Sequence, residues 1–136
     1  MTHPEPRWLG RLVMDEAHYR QIREHGGRHG IRDENALEAA LARPRHRWTY
    51  LSQARLADLA AAYAFGIVRD HPYVDGNKRV ALVALVAFLD LSAVELTATN
   101  AEAAQAMLAL AAGEMTEEAL ADWIMTHSIR TSDAVK

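Results

Sequence analysis

Apolar residues recur at three- and four-residue intervals across the middle of the chain. Leu56, Leu59, Ala60, Tyr63 and Ile67 mark the buried face of one helix. From Val80 to Leu91 the chain is apolar almost all round, the pattern of a central helix surrounded on every side in a small bundle. A buried strand shares that pattern, but the length of the run and its alanines and leucines favour a helix. Weaker helical patterns flank this pair. Val13 to His25 stops at Gly26-Gly27, and Asp33 is placed to cap Glu34 to Ala42, which should end before Arg43-Pro44. Asn100 can cap Ala101 to Ala112, with Gly113 just beyond, and Thr116 opens a last helix carrying Leu120, Trp123 and Ile124. Val94 to Leu96 reads as a short strand or an extended link. The pattern predicts an all-α fold, a compact bundle of about six helices. It forms a single domain over residues 1–136, with its core at roughly 11–127 and a polar tail at 128–136.

Composition strengthens the helical reading and narrows the partners. Of 136 residues 26 are alanine, the residue with the lowest helix cost. Half the chain is apolar, enough for a real core. Lys plus Arg is 15 against 18 for Asp plus Glu, a net charge of −3, which argues against wholesale coating of nucleic acid or an anionic membrane. With no cysteine, disulfide scaffolds and thiolate metal sites are excluded. Met1 to Trp8 is polar and proline-broken, unlike a secretion signal, and the longest apolar run, Val80 to Leu89, has ten residues, about half a membrane span. A soluble, cytoplasmic protein is expected.

Chemistry concentrates between the two strongest helices, in His71-Pro72-Tyr73-Val74-Asp75-Gly76-Asn77-Lys78-Arg79. Pro72 ends the first helix, Asp75-Gly76-Asn77 supplies a turn, and the next helix begins at about Asn77. The N–H groups of Gly76 to Arg79 should then point out of a first turn, which is an anion site. Lys78 and Arg79 lie where the helix dipole disfavours cations, which makes sense if the guest is a polyphosphate. Asp75 offers an oxygen to Mg²⁺, and a histidine such as His71 is the residue type suited to act as a general base. Taken singly, each has a plainer reading: a helix-end histidine, a turn, two solvated charges. Together they have the parts that phosphoryl or nucleotidyl transfer needs.

This segment resembles the signature loop of the Fic/Doc family, His-Pro-Phe/Tyr-x-Asp/Glu-Gly-Asn-Gly/Lys-Arg, at every specified position. Lysine at position 78 is similar to the Doc branch, the toxins of Phd/Doc toxin–antitoxin systems, where most Fic proteins have glycine. Gly27-Arg28-His29-Gly30-Ile31-Arg32-Asp33, then Leu37, Ala40 and Arg43-Pro44, is similar to the Gly-rich stretch and following helix of Doc-like toxins. The resemblance implies that His71 deprotonates a target hydroxyl and that Asp75 holds Mg²⁺. Gly76 and Asn77 form the anion hole, Arg79 grips a nucleotide phosphate, and Lys78 belongs with an ATP placement that brings its terminal phosphate to the nucleophile. It further implies phosphorylation of a threonine of an EF-Tu-like translation factor, arrest of translation, and restraint by a Phd-like antitoxin. Transfer of AMP, as in Fic enzymes, and a catalytically idle nucleotide- or partner-binding module are the alternatives. No Ser or Thr here begins the Ser/Thr-x-x-x-Glu-Gly/Asn pattern of the Fic inhibitory helix, so restraint is expected from another protein. Tyr73 is expected to anchor the loop in the core.

Other segments carry less. Arg43 to Tyr50 interleaves basic and aromatic residues. By the resemblance it falls where the family has a flap that aligns the target backbone; a solvated loop is the rival reading, and direct nucleic-acid binding is not expected. His25 and His29 have metal-ligand spacing but are separated by two glycines, and read as loop histidines. Trp8 and Trp123 read as packing anchors.

Overall fold

The computed structural model describes residues 4–131. Six helices follow in order: α1 (Arg11–His25), α2 (Glu34–Tyr50), α3 (Leu56–Asp70), α4 (Asn77–Leu91), α5 (Asn100–Ala111) and α6 (Glu117–Thr126). Two short strands, β1 (Val94–Leu96) and β2 (Ser128–Arg130), pair antiparallel, Val94 opposite Arg130. The fold is all-α, as the pattern predicts. Among the described residues no helix is long and apolar enough to cross a membrane.

The central helix is α3 rather than α4, which has the longer unbroken apolar run, Val80 to Leu89. Leu59, Ala60, Ala61, Ala62, Tyr63, Ala64 and Ile67 are all fully buried, whereas Leu82, Val83, Val86 and Ala87 of α4 are only partly covered and Leu91 is exposed. The cause is side-chain size. Alanines on every side of α3 let α2, α4, α5 and α6 pack around it, whereas one face of α4 is left partly uncovered. At Gly66 the approach is closest: an added Cβ would stand 3.2 Å from the Ala40 Cα of α2. Gly66→Leu is expected to destabilise the fold by about 2 kcal/mol, visible as a lower midpoint in urea unfolding, with an unchanged midpoint as the contrary result.

Four local expectations are corrected. α2 does not stop at Ala42 but runs through Pro44 to Tyr50. A proline inside a helix costs a hydrogen bond and a clash. Here tertiary contacts hold the second half: Trp48 packs on the core, and Arg43 and Arg47 both meet the buried carboxylate of Glu117 on α6. Arg43 to Tyr50 is therefore neither a flap nor a solvated loop. The cap of α5 is Thr99, whose hydroxyl accepts from the Glu102 N–H while the Glu102 carboxylate accepts from the Thr99 N–H, so Asn100 is the first helical residue. Of the segment taken as a polar tail, Ser128–Arg130 is β2; residues 132–136 lie outside the described residues. The caps at Asp33 and Thr116 and the left-handed Gly113 after α5 stand where the sequence places them. Trp8 stacks on Phe88, and Trp123 lies against the core.

Candidate active site

The loop between α3 and α4 is held from three sides. Beneath it, Tyr73 is buried and stacks face to face on His18 of α1, ring centroids 3.9 Å apart. Its hydroxyl donates to Asp15, and burial keeps the phenol protonated well above its ordinary range. Beside it, the segment after α1 runs alongside as a partner backbone. Val74 N–H donates to Gly30 C=O, and Arg32 and Asp33 N–H both donate to Pro72 C=O. At its start, the Arg32 guanidinium donates to the carbonyls of Asp70 and His71, placing a cation at the negative end of α3.

His71 itself closes α3 in the left-handed conformation, φ 48° and ψ 57°. The following proline disfavours right-handed helical angles at this residue, and Arg32 fastens the carbonyl that results. Asn77, buried at the first turn of α4, ties the loop to the ring. Its Oδ1 accepts from Tyr73 N–H and its Nδ2 donates to Tyr73 C=O, which settles the orientation of the amide. Nδ2 then faces His71 Nδ1 at 3.3 Å. An amide nitrogen only donates, so the neutral imidazole keeps its lone pair on Nδ1 and its proton on Nε2. At that length the contact yields to a better donor.

The open N-terminus of α4, the candidate anion cradle, stands after Gly76. Gly76 is the left-handed residue before α4, with φ 79°. Among the described residues the N–H groups of Gly76, Asn77, Lys78 and Arg79 donate to no protein acceptor, the open donor set of a helix N-terminus. Lys78 is exposed. Arg79 is half-buried and donates to Gly26 C=O, so its guanidinium lies beside the cradle. The structure thus brings His71, Gly76, Asn77, Lys78 and Arg79 into one loop and one helical turn.

Asp75 presents a single carboxylate. Oδ2 accepts from the Arg28 N–H at 2.7 Å, and Oδ1 has no partner among the described residues. No group of three or more His, Asp or Glu side chains that could hold a metal occurs among them. One free carboxylate oxygen beside a phosphate cradle suits Mg²⁺, which takes few protein ligands and shares the phosphates of its substrate. His25 ends α1, and His29 stacks on Tyr19.

His18 and Arg32 are site residues that sequence reasoning passes over. His18 is buried, its Nε2 lies 2.8 Å from the Asp75 carbonyl, and burial pushes its pKa below the usual imidazole value. A signal was present: Met14, His18 and Ile22 fall four apart on the buried stripe of α1, and a polar residue on such a stripe is the informative one. Arg32 carried no comparable signal, because its partners lie 38 and 39 residues away.

A family model described as the Fic/DOC family matches residues 8–89. Toxin Doc of Mycolicibacterium smegmatis is 42% identical over 74 residues, which is 54% of this chain and 57% of that protein. Protein kinase doc of Escherichia phage P1 is 30% identical over 122 residues, 90% of this chain and 92% of the relative.

Proposed function

Since this chain belongs to the Fic/DOC family, we propose that it is a Doc-like toxin that transfers the terminal phosphate of ATP to a protein hydroxyl. One observation carries the reading: a single side chain, Asn77, positions both the imidazole of His71 and the loop that opens the anion cradle of α4. A base and a phosphate site held by one amide are set for transfer to a hydroxyl.

The step is an in-line displacement at the γ-phosphorus. The incoming hydroxyl donates to His71 Nδ1, replacing Asn77 there, and its proton passes to the ring as the new O–P bond forms. The bond from the γ-phosphorus to the bridging oxygen breaks, and ADP leaves. The N–H groups of Gly76 to Arg79, with Lys78 and Arg79, meet the phosphate charge, and no donor has to reorganise during the step. Asp75 Oδ1 is the oxygen that would hold Mg²⁺, which when bound neutralises phosphate charge and polarises the P–O bonds.

Lys78 supports the kinase form of the reaction, since lysine here resembles the Doc branch, and the phage relative carries the name of a protein kinase. Lys78→Gly is expected to lower phosphoryl transfer by about 10²-fold with little change in thermal stability, because the side chain is exposed; unchanged transfer contradicts its role. The proposed target is a threonine of an EF-Tu-like translation factor in the cytoplasm, and the proposed partner is a Phd-like antitoxin that folds a helix onto the toxin surface. Expressed alone in bacteria, the protein is expected to arrest growth and translation, with relief on co-expression of its antitoxin. Harmless expression of the intact protein overturns the toxin reading.

A further inference from the structure

The Asp75–Gly76 peptide sits at the entrance to the cradle, and nothing in its own sequence holds its orientation. Among the described residues there is no cis peptide, so the Asp75 carbonyl and the Gly76 N–H point in opposite directions across one plane. Rotating that plane by half a turn would aim a carbonyl oxygen, instead of an N–H, at a bound phosphate. Residue 76 offers no resistance to such a flip, because glycine occupies positive and negative φ about equally well. A residue with a Cβ would resist it, but at φ 79° an L side chain is strained, and its Cβ would stand a tight 3.1 Å from Ile22 Cδ1.

Among the described residues, one hydrogen bond to this peptide comes from outside the loop. His18 Nε2 lies 2.8 Å from the Asp75 oxygen, which can only accept, so His18 donates. The ring cannot drift: Tyr73 covers it face to face, and it lies on the buried stripe of α1 between Met14 and Ile22. We propose that His18 is a positioning residue for nucleotide binding: by holding the Asp75 carbonyl toward α1, it keeps the Gly76 N–H turned into the phosphate cradle. The inference rests on the nucleotide-binding reading of the loop. Asp75 bears two separate duties, its backbone oxygen fixing the peptide and its side chain facing Arg28.

The test compares Mg²⁺·ATP affinity, by calorimetry, among the intact protein, His18→Gln and His18→Leu. Gln can bring an N–H to nearly the same place; Leu fills similar space with no donor. The expected result is tight binding by the intact protein, affinity within about threefold for H18Q, and a loss of at least about tenfold for H18L, roughly the worth of one hydrogen bond, at a melting temperature near that of the parent. Equal affinity for H18L and the parent overturns the role of His18 and leaves the nucleotide site standing. No binding by the intact protein overturns the nucleotide site itself, and the inference with it. Should H18L not fold, ¹⁵N spectra of the intact protein decide. A proton on His18 Nε2 and a large Gly76 amide shift on adding Mg²⁺·ATP are expected; an Nδ1–H ring or an unmoved Gly76 amide overturns the proposal.

Discussion

His71→Ala is expected to lower phosphoryl transfer by about 10²- to 10⁴-fold, the usual worth of a positioned general base, and to leave the fold intact. The imidazole is exposed, and its side-chain hydrogen bond among the described residues is the long one to Asn77 Nδ2, so removing it uncovers no core. Asn77 keeps both of its bonds to the Tyr73 backbone, so the cradle retains its shape. A small loss of stability accompanies the change, because alanine tolerates the left-handed angles at position 71 less well than histidine. Nucleotide affinity should hardly move, since the ring serves the hydroxyl and not the phosphates. Full transfer activity in H71A would remove the base from the mechanism. Loss of nucleotide binding together with activity would show that the ring also shapes the cradle.

The second large effect is at Asp75. Asp75→Asn retains an oxygen for the Arg28 N–H, so the Gly-rich segment stays docked, but it removes the charge that would meet a divalent cation. Transfer is expected to fall by about 10²-fold. The more telling readout is linkage. The intact protein should bind ATP more tightly with Mg²⁺ than without, and D75N should show little difference between the two conditions. If Mg²⁺ still strengthens binding to D75N as much as to the parent, the metal is held elsewhere. Alanine is the poorer choice here, because it would also strip the Arg28 N–H of its acceptor and confuse a loosened segment with a lost ligand.

What could be read from the chain in advance follows the distance over which each interaction acts. α3, α4 and the turn between them are local matters of apolar spacing, a proline and a glycine, and the structure has them where the pattern puts them. The candidates His71, Asp75, Gly76, Asn77, Lys78 and Arg79 could be singled out because they fall in one short segment. The continuation of α2 past Pro44 was not legible, since it depends on Glu117, 74 residues from Arg43. β2 was not, because three polar-flanked residues form a strand only against β1, more than thirty positions earlier. The identity of the central helix was not, because the long apolar run that singled out α4 says less about enclosure than the small side chains that admit neighbours to α3. His18 belongs with these. Its carbonyl partner is 57 residues away, and no local pattern joins a histidine on one helix to the peptide it fixes before another.

The central claim is that the terminal phosphate of ATP moves to a protein hydroxyl. Its most direct test uses the purified protein with Mg²⁺, a bacterial lysate containing EF-Tu, and ATP labelled in parallel at the γ or the α phosphate, with H71A as the blank. Label from γ alone on a protein band, absent with H71A, is the expected result. Label from α contradicts it and makes the protein an AMP transferase, whatever stands at position 78; label from neither, with nucleotide binding intact, contradicts catalysis and leaves a binding module.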